Sequence, residues 1–171
     1  MRFPEFSEEW IKYTLGDLVV FAKERVSTSN LNEENYVSTE NMLQDYQGVV
    51  KAQSVPSNTN VITYKKGNVL MSNIRPYLKK VWMADRDGGC SSDVFVMQAN
   101  DRLCVADFFH YIIANERFIT YVMSGVKGIK MPRGDKQQMK GYGLSIPSLK
   151  EQQHIARFIT LIDNRIAIQT R

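Results

Sequence analysis

Long apolar runs are missing from this chain. Stretches such as Leu18 to Ala22 and Val94 to Met97 fall far below the roughly 20 residues that a membrane-spanning helix needs, and the opening Met1-Arg2-Phe3-Pro4-Glu5-Phe6 has no apolar signal core. No membrane partner is expected, and the chain reads as cytoplasmic. Soft metal ligands are equally scarce. The two cysteines, Cys90 and Cys104, and the two histidines, His110 and His154, fall at no metal-finger spacing, which argues against a zinc site; in the cytosol both thiols stay reduced. Gly-rich phosphate loops of the Walker type are absent, and no nucleophile elbow is present. Each histidine sits in a helical pattern with no nucleophile in view, where a surface or core imidazole is the commoner reading. No catalytic residue, metal or cofactor is therefore assigned.

What the chain does have is an ordinary globular balance, 43% hydrophobic and 23% charged residues over 171 positions, enough to bury about 70% of its unfolded surface around one core. Its net charge of +4 hides strong segregation. Between Val26 and Val50, Glu33, Glu34, Glu40 and Asp45 stand without a single Lys or Arg. Between Lys65 and Arg86 the balance reverses, with Lys65, Lys66, Arg75, Lys79, Lys80 and Arg86 against Asp85 alone. Between Lys127 and Lys140, Lys127, Lys130, Arg133, Lys136 and Lys140 face only Asp135. One basic run is usually a solvated loop. Two runs interspersed with Gly, Asn, Ser and Tyr favour a polyanion, because small polar side chains and exposed amides also bond phosphates.

The local patterns give strands first and helices last. An apolar stretch from Leu15 to Ala22, punctuated by Gly16-Asp17 as a turn or helix entry, precedes a polar loop from Lys23 to Gln47 that holds a short strand or helical turn near Tyr36 to Leu43. Val61 to Tyr64 and Val69 to Ser72 flank Lys65-Lys66-Gly67-Asn68 as a hairpin or corner. Val81 to Ala84 and Val94 to Met97 flank a turn from Asp85 to Gly89. A helix capped by Asp107 carries Phe108, Ile112, Ile119 and Val122 as a core face and stops at Gly125. A short strand at Leu144 to Ile146 leads to a second helix, for which Ser148 and Glu151 have capping-box spacing. Along it Ile155, Ile159, Ile162 and Ile166 alternate steps of four and three, the seam of a coiled coil that expects a partner helix.

Several of these residues together resemble a known family. The opening Arg2-Phe3-Pro4-Glu5-Phe6 with Trp10 and Leu15-Gly16-Asp17, the late Ser124-Gly125 with Ile129-Lys130, and above all Ile146-Pro147-Ser148-Leu149-Lys150-Glu151-Gln152 with Ile155-Ala156 and Ile162-Asp163 resemble one target-recognition half of a type I restriction-modification specificity subunit. The resemblance implies an α/β (α+β) fold: a compact mixed-sheet target-recognition domain over residues 1–147, then the start of a spacer or dimerisation helix over 148–171. It also implies a non-catalytic subunit that reads half of a split site in double-stranded DNA. Adenine methyltransferase subunits and a motor-nuclease subunit would do the chemistry. Asn73-Ile74-Arg75-Pro76-Tyr77 is only faintly similar to the Asn-Pro-Pro-Tyr motif of those methyltransferases and does not bring catalysis into this chain.

Within that frame the base-reading residues are expected in the basic loops, where side chains can reach the major groove. These are Asn73, Arg75 and Tyr77 in the first loop and Lys130 and Arg133 in the second. Lys65, Lys66, Lys79, Lys80, Lys127 and Lys136 are assigned to phosphates. Ile155, Ile159, Ile162 and Ile166 form the partner face, through which the chain is expected either to self-associate or to leave an apolar stripe exposed. The competing expectation is a regulatory protein-interaction module that assembles through this helix and never touches DNA.

Overall fold

The computed structural model describes residues 2–126 and 130–169. Strand β1 (Ile11–Thr14), helix α1 (Leu15–Leu18) and strand β2 (Val19–Phe21) follow one another without a loop. Gly16-Asp17 is a helix entry: the Thr14 amide and hydroxyl each donate a 2.7 Å bond to the Asp17 carboxylate, holding its pKa below the usual carboxylate range. Seven further strands precede the helical part: β3 (Arg25–Ser27), β4 (Tyr36–Val37), β5 (Asn60–Tyr64), β6 (Val69–Ser72), β7 (Val81–Met83), β8 (Gly88–Cys90) and β9 (Val94–Ala99).

They form two four-stranded sheets, β2-β9-β6-β7 and β3-β5-β8-β4, in which β4 and β8 run parallel and the other pairs antiparallel. The first sheet is the middle layer of three, which explains why its strands are apolar without alternation. Val69, Met71, Phe95 and Met97 face the helices, while Leu70, Val94 and Val96 face Tyr64, Val37 and Cys90 of the second sheet. A last strand, β10 (Gly143–Ile146), pairs antiparallel with β1 and ties the late chain to the early chain.

The apolar runs around Lys65-Lys66-Gly67-Asn68 make a corner and not a hairpin, since β5 and β6 belong to different sheets. The runs around residues 85–89 do not pair either: β6 lies between β7 and β9, and part of the expected turn is strand β8. A Cβ on Gly88 would collide with the Asn35 carbonyl and the Tyr64 ring, and one on Gly89 with Leu31 and Val61. Glycine here marks close packing over a strand.

Helix α2 (Ala106–Ile113) and helix α3 (Glu116–Ser124) replace the single helix expected from Asp107 to Gly125. The break falls before Asn115, whose side chain accepts a 2.9 Å bond from the Arg117 amide and starts α3 afresh. Asp107 lies in the first turn of α2, with Val105 at the cap position. Phe108, Phe109, Ile113, Phe118, Ile119 and Val122 bury their side chains in the main core, each contributing about 1.5–3 kcal/mol. Truncating the fully buried Phe118 to Ala would cost about 3–5 kcal/mol.

After the short helix α4 (Lys136–Lys140), capped by Asp135, and strand β10, helix α5 (Leu149–Gln169) leaves the domain. Its first turns are docked, with Glu151, Gln152 and Ala156 buried, and from Leu161 onward every described residue is exposed. The isoleucine seam therefore divides. Ile155 packs against the main core and Ile159 is half-buried, so the chain covers this part itself, whereas Ile162 and Ile166 face solvent. Among the described residues no helix is long and apolar enough to cross a membrane.

Candidate nucleic-acid interface

Strand β6 decides which basic residues meet. Lys65 and Lys66 precede it and residues 73–80 follow it, so the strand separates two groups. At the first end the Lys65 charge is matched locally: Lys65 Nζ lies 3.1 Å from the Asp87 carboxylate, to which the Lys66 backbone amide also donates. Those two bonds hold the Asp87 pKa low, the Lys66 amide most of all. Arg86 lies over the Trp82 ring at 5.2 Å.

At the other end the two basic segments join. The Asn73 amide donates to the Asp93 carbonyl at 2.7 Å, its own carbonyl accepts from the Gly134 amide at 3.0 Å, and the Arg75 amide donates to the Pro132 carbonyl at 2.8 Å. Ile74 and Arg133 form an antiparallel bridge. This short ladder sets the exposed Arg75 and Arg133 on one edge, with Arg133 Nη1 3.5 Å from the Asp93 carboxylate. Lys130 is exposed nearby in sequence, and Lys136 extends over the rings of Phe21 and Phe95, 5.4 Å from each. Lys127 lies outside the described residues.

The loop carrying Arg75 is unusual in its backbone. Arg75 (φ 49°) and Lys79 (φ 54°) are left-handed and bracket the single 3₁₀ turn Pro76–Leu78, which presents the half-exposed Tyr77. Asp45 (φ 52°) and Tyr46 (φ 62°) are left-handed too, and their amides bond the Leu78 and Lys79 carbonyls at 3.1 and 3.0 Å. Such conformations cost of order 1–3 kcal/mol each and persist where surrounding contacts over-determine them, a pattern concentrated at functional sites.

Two of the lysines assigned to phosphates have other partners. Lys79 Nζ lies 2.7 Å from Glu116, whose hydrogen bond pushes the Lys79 pKa up. Lys80 Nζ donates to the Thr39 carbonyl, and burial, with the Arg75 charge, pulls its pKa down. Lys80 thus clamps this edge to the turn at residues 38–41. That turn depends on Asn41, which has no local sequence signal: almost fully buried, it accepts from the Ser38 amide at 2.7 Å and donates to the Tyr36 and Val50 carbonyls at 3.0 and 2.8 Å.

The root of α5 is built from two further residues whose roles depend on partners distant in sequence. The Glu151 carboxylate, read as half of a capping box, receives Arg2 Nε and Nη2 at 2.8 Å each, and these bonds hold its pKa below the usual range. Gln152, with no exposed surface, accepts from the Val105 amide and donates to the Leu103 and Pro147 carbonyls, all at 2.9 Å. Adjacent polar residues on the inward side of an amphipathic helix were the signal available. Farther along, the Tyr111 hydroxyl donates to Asp163 and bonds the Thr160 hydroxyl, both at 3.0 Å.

The sequence model of the type I restriction modification DNA specificity domain matches residues 7–171. The chain belongs to this family. The specificity subunit of the Escherichia coli type I restriction enzyme EcoDI is 29% identical over 91 residues, 53% of this chain and 20% of that one. The specificity subunit of the Haemophilus influenzae enzyme HindI is 23% identical over 172 residues, 95% of this chain and 37% of that one. The fold is similar to the HsdS subunit from Thermoanaerobacter tengcongensis, with a TM-score of 0.72 at 21% identity over 92% of this chain and 43% of that chain. It is also similar to the type I S subunit from M. genitalium, with a TM-score of 0.63 at 17% identity over 93% of this chain and 40% of that chain. The chain spans less than half the length of these relatives and solved subunits. The shared fold is mixed α+β with a long C-terminal helix.

Proposed function

We propose that residues 1–147 are the target-recognition domain, and 148–171 the start of the spacer helix, of a type I specificity subunit acting in the cytoplasm. It binds double-stranded DNA, reads one half of a split site, and directs adenine methyltransferase and motor-nuclease subunits there without catalysing a step itself. The observation that carries this reading is the ladder between residues 73–75 and 132–134, which merges two basic segments distant in sequence into one edge. Arginine forks on a pre-set loop suit guanine O6 and N7 or phosphate oxygens, and Tyr77 belongs to the same edge, whereas Asn73, its side-chain oxygen buried, serves the edge through its backbone. Lys130 flanks it as a further base reader and Lys136 as a phosphate contact. Lys65, its charge matched by Asp87, would contribute less. The exposed seam at Ile162 and Ile166 is the surface for a partner helix, a second copy included.

A duplex titration at two salt concentrations tests this. Counterion release predicts affinity that falls steeply as salt rises. Binding indifferent to salt, or no binding at low salt, refutes the reading and leaves the protein-interaction module in its place.

A further inference from the structure

Beside the Arg75–Arg133 edge lies an open polar cleft of about 330 Å³ whose walls include Ser38, Thr39, Glu40, Gln53, Ser54 and Asp93. It is continuous with the basic edge on two sides. Asp93 lines the cleft and meets Arg133, while Lys80 holds the Thr39 carbonyl and lies within reach of the Arg75 charge. The cleft also has a fixed rim: Asn41 ties the 38–41 turn to the Tyr36 and Val50 carbonyls, and the Glu40 amide is held by Ser38 Oγ at 3.2 Å.

Carboxylates are expensive on a surface that receives a polyanion unless they meet donors. Asp93 has Arg133. Glu40 is exposed, and its carboxylate is not in a direct ion pair among the described residues; the cation it acts on is Lys80, whose ammonium is itself committed to the Thr39 carbonyl. An ionised carboxylate only accepts hydrogen bonds, and the donors that duplex DNA offers in its major groove are the exocyclic amino groups of cytosine and adenine. We propose that this cleft is a further base-reading part of the recognition surface, beside the arginine edge, and that the Glu40 carboxylate accepts from an exocyclic amino group, cytosine N4 or adenine N6, in the half-site. The arginines then hold the duplex against it. This inference rests on the DNA-binding reading above.

The test is selection from a randomised duplex pool by the full chain and by Glu40→Ala and Glu40→Gln, followed by sequencing of the bound fraction. Glu40→Ala loses preference at one base pair and keeps the rest of the motif. N4-methylation of cytosine or N6-methylation of adenine at that position fills the major-groove side of the amino group. It weakens the unaltered chain roughly ten-fold, leaves Glu40→Ala nearly unaffected, and shows which base is read. An unchanged motif of unchanged strength in both variants overturns the assignment of Glu40 while leaving DNA binding intact. Absence of enrichment by every version, the unaltered chain included, overturns the DNA-binding reading itself and this inference with it.

Discussion

Replacing Gln152 with Ala should destabilise the chain far more than its place on a polar-looking helix suggests. The side chain has no exposed surface and closes three hydrogen bonds, with the Val105 amide and the Leu103 and Pro147 carbonyls. Each buried partner left unsatisfied costs roughly 1–3 kcal/mol, and partial relaxation around the gap brings the expected sum to about 3 kcal/mol. For a chain of this size each kcal/mol moves the melting temperature by about 2–4 °C, so the midpoint should fall by about 6–12 °C. Urea unfolding measures the loss directly, and Gln152→Met separates its cause. Methionine nearly preserves the volume but makes none of the bonds, so it should cost about as much as alanine. A Met variant within about 0.5 kcal/mol of the unaltered chain would rule out the hydrogen bonds as the cause and assign the effect to packing.

The Arg2–Glu151 contact carries a pH signature. Because the Glu151 pKa is lowered in the folded chain, its stabilisation is fully present above the ordinary glutamate value and is lost as pH falls through the lowered one. Arg2→Ala should therefore lower the melting temperature at neutral pH and flatten its acid decline; identical pH profiles would contradict the contact. Cys90 and Cys104 are fully buried, with thiols pushed up to about 12 by burial, so a thiol reagent at neutral pH should label neither until the chain is denatured. Ile162→Ser and Ile166→Ser lie on the exposed part of the seam and should change stability by less than about 0.5 kcal/mol, yet reduce self-association in sedimentation. A strict monomer before and after the changes would rule the seam out as a self-association surface.

The elements that sequence shows best here are those whose signal is local. Val69 to Ser72 and Val94 to Met97 are continuous apolar runs and become the central strands; Ile155 and Ile159 announce the α5 face that docks. Pairing was not local. β5 and β6 look like two arms of one hairpin, but Tyr64 and Leu70 fill the space between two sheets and draw the strands into different layers. Gly88 and Gly89 look like a turn because nothing nearby in sequence shows that Tyr64 and Leu31 press on them. The same limit applies to the site. Arg75 and Arg133 stand out by charge, but the ladder joining them depends on Asn73, Pro132 and Gly134, and the cleft at Glu40 depends on Asn41 reaching Val50. Polar loop residues look solvated until the contact that buries them is known.

Duplex DNA is expected to be held on the joined edge and not at the corner before β6. The most direct measurement compares duplex affinity at low salt for the unaltered chain, the pair Arg75→Ala/Arg133→Ala and the pair Lys65→Ala/Lys66→Ala. The arginine pair should lose at least about ten-fold, while the lysine pair, with Lys65 already matched to Asp87, should lose markedly less. Full affinity in the arginine pair together with a collapse in the lysine pair would contradict it.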